Sequence, residues 1–379
     1  MTADLIVFGE DWGRHPSSTQ HLIKRLAADR RIVWINSIGL RRPRLGLADL
    51  KRIVQKLRAA LFGRSGGSGP VEREPVPPNL TVVAPLAVPW PGNRLAAMFN
   101  RLLVGRQVRR VMAARGITRP VLWASLPTVV DLMGAFGERA TIYYCGDDFA
   151  HLAGVDHGPV TAAETRLAAK CDRILAVSPA LAAKFPAAKT LLLPHGADIA
   201  LFADPAPRAV DLPDGPVAGF YGSLSAWLDQ DLLADVARRL PHWTFLMIGE
   251  VRVPVERLST LPNIRLIGAR PHGALPGYSQ HWQASLLPFI DNAQIRASNP
   301  LKLREYLATG QPVVSTPFPA LDAYADLISI APDAAGFAAA IDQATQEPQG
   351  RHAARRDRVR SETWEARAAQ VATLIDGLS

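Results

Sequence analysis

The arrangement of short apolar segments along this chain is the feature that most constrains its fold. Segments such as LIVFG, RIVWIN and PVLWAS alternate with stretches long enough for helices. Buried strands separated by helix-length connections predict a parallel sheet with crossover helices. A Pro-, Asp- and Ala-rich stretch at 203–216 interrupts the alternation, which resumes with VAGFYG and WTFLMIGE. The sequence therefore predicts two Rossmann-like α/β domains joined by a linker.

The length of 379 residues fits this division, because single hydrophobic cores stop growing at about 250–300 residues. We place the first domain at 1–203, the second at 204–350, and a helical tail at 351–379 that we expect to pack back across the first domain. Ligands of open parallel sheets bind beyond the carboxyl ends of the strands. We therefore expect the active site between the two domains.

The charge of the chain is unevenly distributed. Residues 1–150 contain 22 Lys and Arg against 11 Asp and Glu, a net charge of +11, whereas the remainder contains 21 against 23, a net charge of −2. This asymmetry favours a polyanionic partner for the first half, either nucleic acid or an anionic membrane leaflet. Only Cys145 and Cys171 occur, so no disulfide framework is predicted, and both thiols are expected to be buried in a protein of the reducing cytosol.

No apolar run reaches the roughly 18 residues that a membrane span needs, and the first residues lead into a strand rather than a signal peptide. The sequence predicts a protein that is neither exported nor membrane-spanning.

The stretch SNPLKLREYLATGQPVVST, at 298–316, predicts a helix that Gly310 ends before a buried strand. The N–H groups and positive dipole of the helix start suit a diphosphate, and Lys302 adds a cation. Glu305 is suited to accept ribose hydroxyls. The alternative is an ordinary amphipathic helix with a Lys–Glu surface pair.

This stretch resembles the donor-site helix of GT-B glycosyltransferases, in which a Pro-x-Lys-x-x-Glu-Tyr-Leu-Ala-x-Gly-x-Pro-Val pattern binds the nucleotide sugar. LPHGADIALF, at 193–202, and VAGFYGSLSAWLD, at 217–229, resemble other segments of the same family. The resemblance covers nearly the whole chain and is strongest at 193–320. It implies a GT-B fold and the transfer of a sugar from a nucleotide diphosphate, usually UDP, to a lipid-linked or polysaccharide acceptor, without a cofactor.

Within this fold the chain is similar to membrane-associated exopolysaccharide glycosyltransferases such as the xanthan glucuronosyltransferase. That similarity implies donor contacts for Glu250 and Tyr278 and a helix-start pair of Leu301 and Lys302. The alternatives are equally compatible with the sequence: Glu250 is then an ordinary loop carboxylate after a strand, and Tyr278 a half-buried packing residue. Small residues after the strand VAGFY allow backbone N–H groups to approach phosphate. The predicted donor-binding residues are Gly222, Ser223, Glu250, Tyr278, Asn299, Leu301, Lys302 and Glu305.

The catalytic residues are predicted from the first domain. Retaining family members commonly place two glutamates eight positions apart, but the position eight before Glu305 is Ala297. An inverting transfer needs one carboxylate as general base, and IYYCGDDFAHL resembles a Tyr-x-x-x-Asp-Asp stretch whose first Asp, here Asp147, aligns with the base. Asp148 is expected to cap a helix. His15, in the loop after the first strand, is an alternative base, unless that loop is a plain turn.

The pattern Asp229-Gln230-Asp231 has the spacing of a metal-binding Asp-x-Asp. It also opens the apolar-periodic helix DLLADVARRL, where acidic residues are expected for capping. We therefore interpret it as a helix cap and predict no metal site.

The segment 45–62 combines an apolar helical face with basic residues, which is typical of an interfacial membrane anchor. A second segment, 94–112, is similar, and for both the alternative is a crossover helix with its apolar stripe in the core. Peripheral association with the inner face of the plasma membrane follows from the first interpretation. The predicted membrane residues are Leu50, Lys51, Arg52, Ile53, Lys56, Leu57 and Arg58.

Two other functions remain open at this stage. A nucleotide-sugar 2-epimerase shares the two-domain fold and the diphosphate site but needs no acceptor. A non-catalytic protein that binds an anionic polymer would use the N-terminal charge. Nucleic acid is not predicted as the partner, because the basic residues are not interleaved with aromatic ones as in RNA-binding modules.

Overall fold

The computed structural model describes residues 2–13, 17–38, 76–152, 155–348 and 350–378. His15 and the basic segment 45–62, with all seven predicted membrane residues, lie outside these ranges. The chain divides into two units: unit 1 comprises Met1–Pro194 and Arg367–Ser379, and unit 2 comprises His195–Ala366.

Unit 1 is built on a seven-stranded parallel sheet with the order β3-β2-β1-β4-β5-β6-β7. This is the strand order of a Rossmann-type sheet, as the alternating sequence predicted. The strands β1, β2, β4 and β5 are buried along their whole length, which explains why they are apolar runs rather than alternating patterns. The strands are β1 Leu5–Phe8, β2 Ile32–Ile35, β3 Leu80–Val83, β4 Val121–Ala124, β5 Ala140–Cys145, β6 Arg173–Ala176 and β7 Thr190–Leu192.

Helices connect these strands. The first begins where the side chain of Ser17 accepts a hydrogen bond from the N–H of Gln20, one of the capping residues that the sequence offered. The described α-helices of unit 1 are α1 Ser18–Leu26, α2 Arg94–Ala114, α3 His157–Lys170 and α4 Pro179–Ala182, with 3-10 turns at Pro127–Leu132 and Ala187–Lys189.

Unit 2 repeats the architecture with six parallel strands in the order β10-β9-β8-β11-β12-β13. The prediction of two Rossmann-like domains is therefore confirmed. The strands are β8 Val217–Tyr221, β9 Thr244–Ile248, β10 Ile264–Leu266, β11 Ala284–Leu287, β12 Val313–Ser315 and β13 Ser329–Ile330. The two-residue strand β13 is too short to leave a periodic signal in the sequence.

The remaining helices are α5 Ile199–Ala203, α6 Gln230–Arg239, α7 Glu256–Ser259, α8 Pro276–Ser279, α9 Ala293–Ala297, α10 Leu301–Thr309, α11 Ala334–Ala344, α12 Gly350–Val359 and α13 Trp364–Asp376, with 3-10 turns at His272–Ala274 and Pro319–Tyr324. Helix α6 begins at the cap that the sequence predicted, since Asp229 accepts a hydrogen bond of 2.9 Å from the N–H of Leu232. Helix α10 ends at Gly310, whose φ of 81° suits glycine.

The unit boundary lies at Pro194 and His195, whereas the sequence predicts it at 203 and 204. The segment that begins unit 2 packs on the chain between α12 and α13: the N–H of Ala197 donates to the carbonyl of Glu362 at 2.9 Å. A Cβ at Gly196 would lie 2.6 Å from the backbone nitrogen of Trp364. Residues 351–366 therefore belong to unit 2 rather than to a separate tail.

The end of the chain joins unit 1, as the sequence analysis expected for the tail. The carboxylate of Asp376 accepts hydrogen bonds from the N–H of Ala3 at 3.1 Å and from the guanidinium of buried Arg30 at 3.2 Å. Cys145 and Cys171 are unpaired and buried, as expected. Within the described ranges, no helix is both long enough and apolar enough to cross a membrane.

Candidate functional site

In unit 2, the helix α10 is attached to the end of strand β8 by two consecutive side chains. The hydroxyl of Tyr221, the last residue of β8, donates to Glu305 at 2.8 Å, and the N–H of Tyr221 donates to the hydroxyl of Tyr306 at 3.1 Å. All three residues are buried. The end of β8 and helix α10 are therefore held together at the carboxyl edge of the sheet, where ligands of such folds bind.

Lys302 lies against the Gly222 backbone in this arrangement. A Cβ placed on Gly222 would overlap Cε of Lys302 and come within 2.9 Å of its Nζ. In the described part of the chain, no carboxylate lies within ion-pair distance of this Nζ, which stands 5.9 Å from the centroid of the Phe220 ring. Burial lowers the pKa of Lys302, and the charge of Glu305 opposes this shift only in part. The site thus holds a partly buried lysine, without an ion-pair partner among the described residues, beside the partly exposed backbone of Gly222.

The start of α10 adds to this positive character. Its N-cap is Pro300, which provides no side-chain hydrogen bond to the first turn. The N–H groups of Leu301 and its neighbours therefore lack the side-chain partner that helix starts commonly have, and the helix dipole favours an anion there. Lys302 and this helix start together have the chemistry of a diphosphate site.

The loop after β9 adjoins the loop after β8. The N–H of Gly222 donates to Ile248 at 2.8 Å, and the N–H of Leu224 donates to the carbonyl of Glu250 at 2.9 Å. The carboxylate of Glu250 is exposed and accepts two hydrogen bonds from Arg252, at 2.8 and 3.0 Å. The structure thus brings Gly222, the neighbouring Ser223 and Glu250 to one edge of the sheet.

Two predicted donor residues have other hydrogen-bond partners. Tyr278, on α8, is buried; its hydroxyl donates to Asp211 at 2.5 Å and accepts from Arg270 at 3.1 Å. This arrangement matches the packing role left open for Tyr278 in the sequence analysis. Asn299 accepts a hydrogen bond of 2.6 Å from Arg304.

No sequence pattern pointed to His272, whose Nε2 lies 3.0 Å from Oε1 of Glu305. Burial alone would lower the pKa of His272, but the hydrogen bond and charge of Glu305, with the charge of Asp198, outweigh it and raise the pKa. Glu305 is therefore held from both sides, by Tyr221 and His272. Because His272 is 33 residues from Glu305 in a plain RPHG turn, no local signal announces it.

In unit 1, Asp147 follows the buried strand β5 and remains exposed to solvent. Protein atoms around this carboxylate nevertheless remove part of its hydration, and with the charges of Glu10 and Asp148 this raises the pKa of Asp147. Glu10 follows β1, so the sheet brings the two carboxylates to the same edge. Among the residues that the structure describes, no hydrogen-bond donor reaches the Asp147 carboxylate, so it is available to take a proton.

Asp148 has a different environment. Its carboxylate pairs with Lys184 at 2.8 Å and with His151 at 2.7 Å. Burial alone would raise its pKa, but these two partners outweigh burial and lower it. Asp148 caps no helix, contrary to expectation, because the next helix, α3, begins only at His157. The ion pairs instead make Asp148 a fixed anion.

Part of unit 2 is similar to a known protein family. Residues 215–347 match the family model described as "Glycosyl transferases group 1". A putative teichuronic acid biosynthesis glycosyltransferase, TuaH of Bacillus subtilis, is 27% identical over 223 residues, which are 53% of this chain and 56% of TuaH. The chain therefore matches little more than half the length of this relative.

Solved structures match almost the whole chain. HepE of Anabaena, in complex with UDP and glucose, matches 99% of this chain and all of its own at a TM-score of 0.68 and 13% identity. Sucrose-phosphate synthase of Thermosynechococcus elongatus matches 99% of both chains at a TM-score of 0.70 and 16% identity. WaaG, a glycosyltransferase of lipopolysaccharide biosynthesis, matches at a TM-score of 0.64 and 11% identity, over 98% of this chain and all of its own. The chain thus has the GT-B glycosyltransferase fold.

Proposed function

We propose that this protein is a glycosyltransferase that moves a sugar from a UDP-linked donor to a lipid-linked or polysaccharide acceptor at a membrane surface. The observation that carries the proposal is the position of Lys302 beside the Gly222 backbone and at the start of α10, which has no side-chain cap. This lies within the stretch that matches the glycosyl transferase group 1 model. Structures of the same fold include a complex with UDP and glucose.

The donor is proposed to bind in unit 2 with its diphosphate on Lys302 and on the N–H groups of Leu301 and Ser223, beside the Gly222 backbone. Charge-assisted hydrogen bonds of this kind are short and strong, and they neutralise the charge that develops on the leaving diphosphate. Glu305 would accept hydrogen bonds from the ribose hydroxyls, with the lone pairs that Tyr221 and His272 do not use. We keep Glu250, Tyr278 and Asn299 as proposed neighbours of the donor.

We propose Asp147 as the general base of an inverting transfer. Its exposed carboxylate and raised pKa suit proton abstraction near neutral pH, because a base is most effective when its pKa approaches the working pH. Asp148 is less suitable, since its lone pairs are engaged by Lys184 and His151. The absence of a carboxylate at Ala297 also supports inversion.

The proposed sugar is glucuronic acid or a hexose, and the proposed role is in exopolysaccharide biosynthesis. The name of the relative in Bacillus subtilis places it in teichuronic acid biosynthesis, and WaaG acts in lipopolysaccharide biosynthesis. Both names concern cell-surface polymers, which supports an acceptor of that class.

Calorimetry with UDP tests the donor site. Lys302→Ala should weaken UDP binding by the roughly 1.5–3 kcal/mol that a hydrogen bond to a charged group is worth. Lys189→Ala is a matched control outside unit 2, because this lysine bonds only backbone carbonyls. Equal UDP affinity in wild type and Lys302→Ala would contradict the diphosphate role.

Transfer assays test the reaction and its stereochemistry. Asp147→Asn keeps the shape of the side chain but cannot take a proton, so turnover should fall about 100- to 10,000-fold while UDP affinity is kept. NMR of the product should show an anomeric configuration opposite to that of the donor. A retained configuration would refute inversion, and conversion of the donor into its epimer without an acceptor would favour the epimerase.

A further inference from the structure

The long helix α2 presents an apolar stripe to solvent rather than to the core. Its first half exposes Leu95, Met98, Phe99 and Leu102, residues that are 73%, 60%, 52% and 61% exposed. The spacing i, i+3, i+4 and i+7 puts them on one helical face. The core contact of α2 is made by other residues: Ala96, Val104, Gly105, Val108 and Met112.

The segment before the helix extends this apolar surface. Leu86, Val88 and Trp90 are also exposed, and two amide side chains of α2 hold the segment in place. Asn100 bonds the N–H and the carbonyl of Val88 at 2.7 and 2.9 Å, and Gln107 bonds those of Leu86 at 3.0 and 3.1 Å. The apolar surface is therefore built by defined hydrogen bonds. We call it the Trp90 face: Leu86, Val88, Trp90, Leu95, Met98, Phe99 and Leu102.

The concentration of apolar side chains on this face is high. Of the thirteen large hydrophobic residues exposed in the described part of the chain, seven belong to the Trp90 face. Scattered exposed apolar residues are normal, but a contiguous cluster is typical of a surface that binds a partner or a membrane.

The charge around the Trp90 face indicates which partner covers it. Residues 75–130 contain seven arginines and no Asp or Glu. Arg94, Arg101, Arg106 and Arg110 are exposed on α2 itself, where the apolar stripe continues into a basic surface. The carboxylate of Asp131, which lines the same small cavity as Val88 and Trp90, is paired with Arg166 at 2.8 Å. An apolar face flanked by several arginines complements an anionic lipid bilayer, which offers hydrocarbon and negative headgroups together.

We propose that the Trp90 face inserts into the headgroup and acyl boundary of an anionic membrane. This membrane contact deepens the proposed function, and it rests on that function because the acceptor is proposed to lie at a membrane surface. Vesicle binding itself needs neither donor nor acceptor, so the two proposals can fail separately.

The test is sedimentation of the full chain with phosphatidylcholine vesicles that contain phosphatidylglycerol, compared with phosphatidylcholine alone. The double variant Leu95→Ser and Phe99→Ser should bind the anionic vesicles about 30-fold or more weakly, because it removes two large apolar side chains from the inserted face. Leu192→Ser is the matched control, since Leu192 is 50% exposed in unit 1 but lies outside the face. It should bind as wild type does.

The triple variant Arg94→Gln, Arg106→Gln and Arg110→Gln should reduce the preference for anionic vesicles over neutral ones. Unchanged vesicle binding by the Leu95 and Phe99 double variant would overturn the proposal. So would a wild-type chain that ignores vesicles but forms dimers that this double variant abolishes, because a second copy would then cover the face. An unchanged far-UV circular dichroism spectrum and urea unfolding midpoint in the double variant would show that its fold is intact. A wild-type chain that binds vesicles but no UDP would refute only the proposed function.

Discussion

Replacing Gly222 by alanine tests whether the loop after β8 and Lys302 form one phosphate site. The added methyl group would overlap Cε of Lys302, lie 2.9 Å from its Nζ and 3.3 Å from Cζ of Phe220. The φ of Gly222 is +139°, which L side chains rarely adopt. The flexible end of Lys302 can move more easily than the backbone, so the main consequence should be displacement of the lysine.

The magnitude follows from the contact that is lost. A hydrogen bond between a cation and phosphate is worth about 1.5–3 kcal/mol. At about 1.4 kcal/mol for each tenfold change, the Kd for UDP should rise about 10- to 150-fold. The disfavoured backbone conformation should separately lower the free energy of unfolding by about 1–3 kcal/mol.

A double-mutant cycle measured by calorimetry separates these effects. Because the methyl group acts through the lysine, Gly222→Ala combined with Lys302→Ala should bind UDP about as weakly as Lys302→Ala alone. Gly215→Ala is the control: its φ is +86°, but its Cβ would have nothing within 4 Å. This variant should lose stability and keep its UDP affinity.

Two results would refute the reasoning. If Gly222→Ala binds UDP as wild type does, the methyl group and Lys302 do not compete for space in the bound state. If the two substitutions weaken binding independently and their effects add in full, the phosphate contacts the Gly222 backbone without involving Lys302.

Three further predictions concern the frame of unit 2, and urea unfolding measures each. The pKa of His272 is raised in the folded protein, so its pairing with Glu305 stabilises the fold fully below the unfolded pKa of about 6.5. This stabilisation is lost as the pH rises through the higher pKa of the folded state. His272→Gln should therefore reduce the fall in the free energy of unfolding between about pH 6 and pH 9. Asp229→Ala should cost about 1 kcal/mol by removing the cap of α6 without changing UDP affinity. Glu362→Ala should cost about 3–5 kcal/mol, because it removes the carboxylate that lies 2.6 Å from the buried guanidinium of Arg304, and the neutral amide of Asn299 cannot replace that charge.

The fold could be predicted from the sequence because its main signal is local. Each buried strand is an apolar run, and the helix-length spacing between runs leaves few alternatives to a parallel sheet. The domain boundary could not be predicted in the same way. It depends on Gly196 and Ala197 packing against the chain near Trp364, some 167 residues away, and no local pattern records that contact.

The candidate site was predictable to the extent that it depends on strand ends and one helix. Gly222 and Lys302 lie together because β8 and α10 meet at the carboxyl edge of one sheet. The partners of Tyr278 and Glu305 were not predictable, since Asp211 and His272 come from irregular segments. The two faces of α2 show a further limit: periodicity identifies a stripe, but whether that stripe faces the core depends on the neighbouring elements.

The two adjacent aspartates show how packing can give neighbouring residues different chemistry. Lys184 and His151 keep Asp148 ionised, and the resulting negative charge is one of the causes that raise the pKa of Asp147 beside it. A pair of carboxylates whose environments move their pKa values apart can divide the work of a site. Here the fixed anion at Asp148 makes its neighbour more basic, while Asp147 itself keeps the solvent-exposed position that an incoming hydroxyl group could reach. The assignment of the base therefore rests on the partners of Asp148 as much as on Asp147 itself.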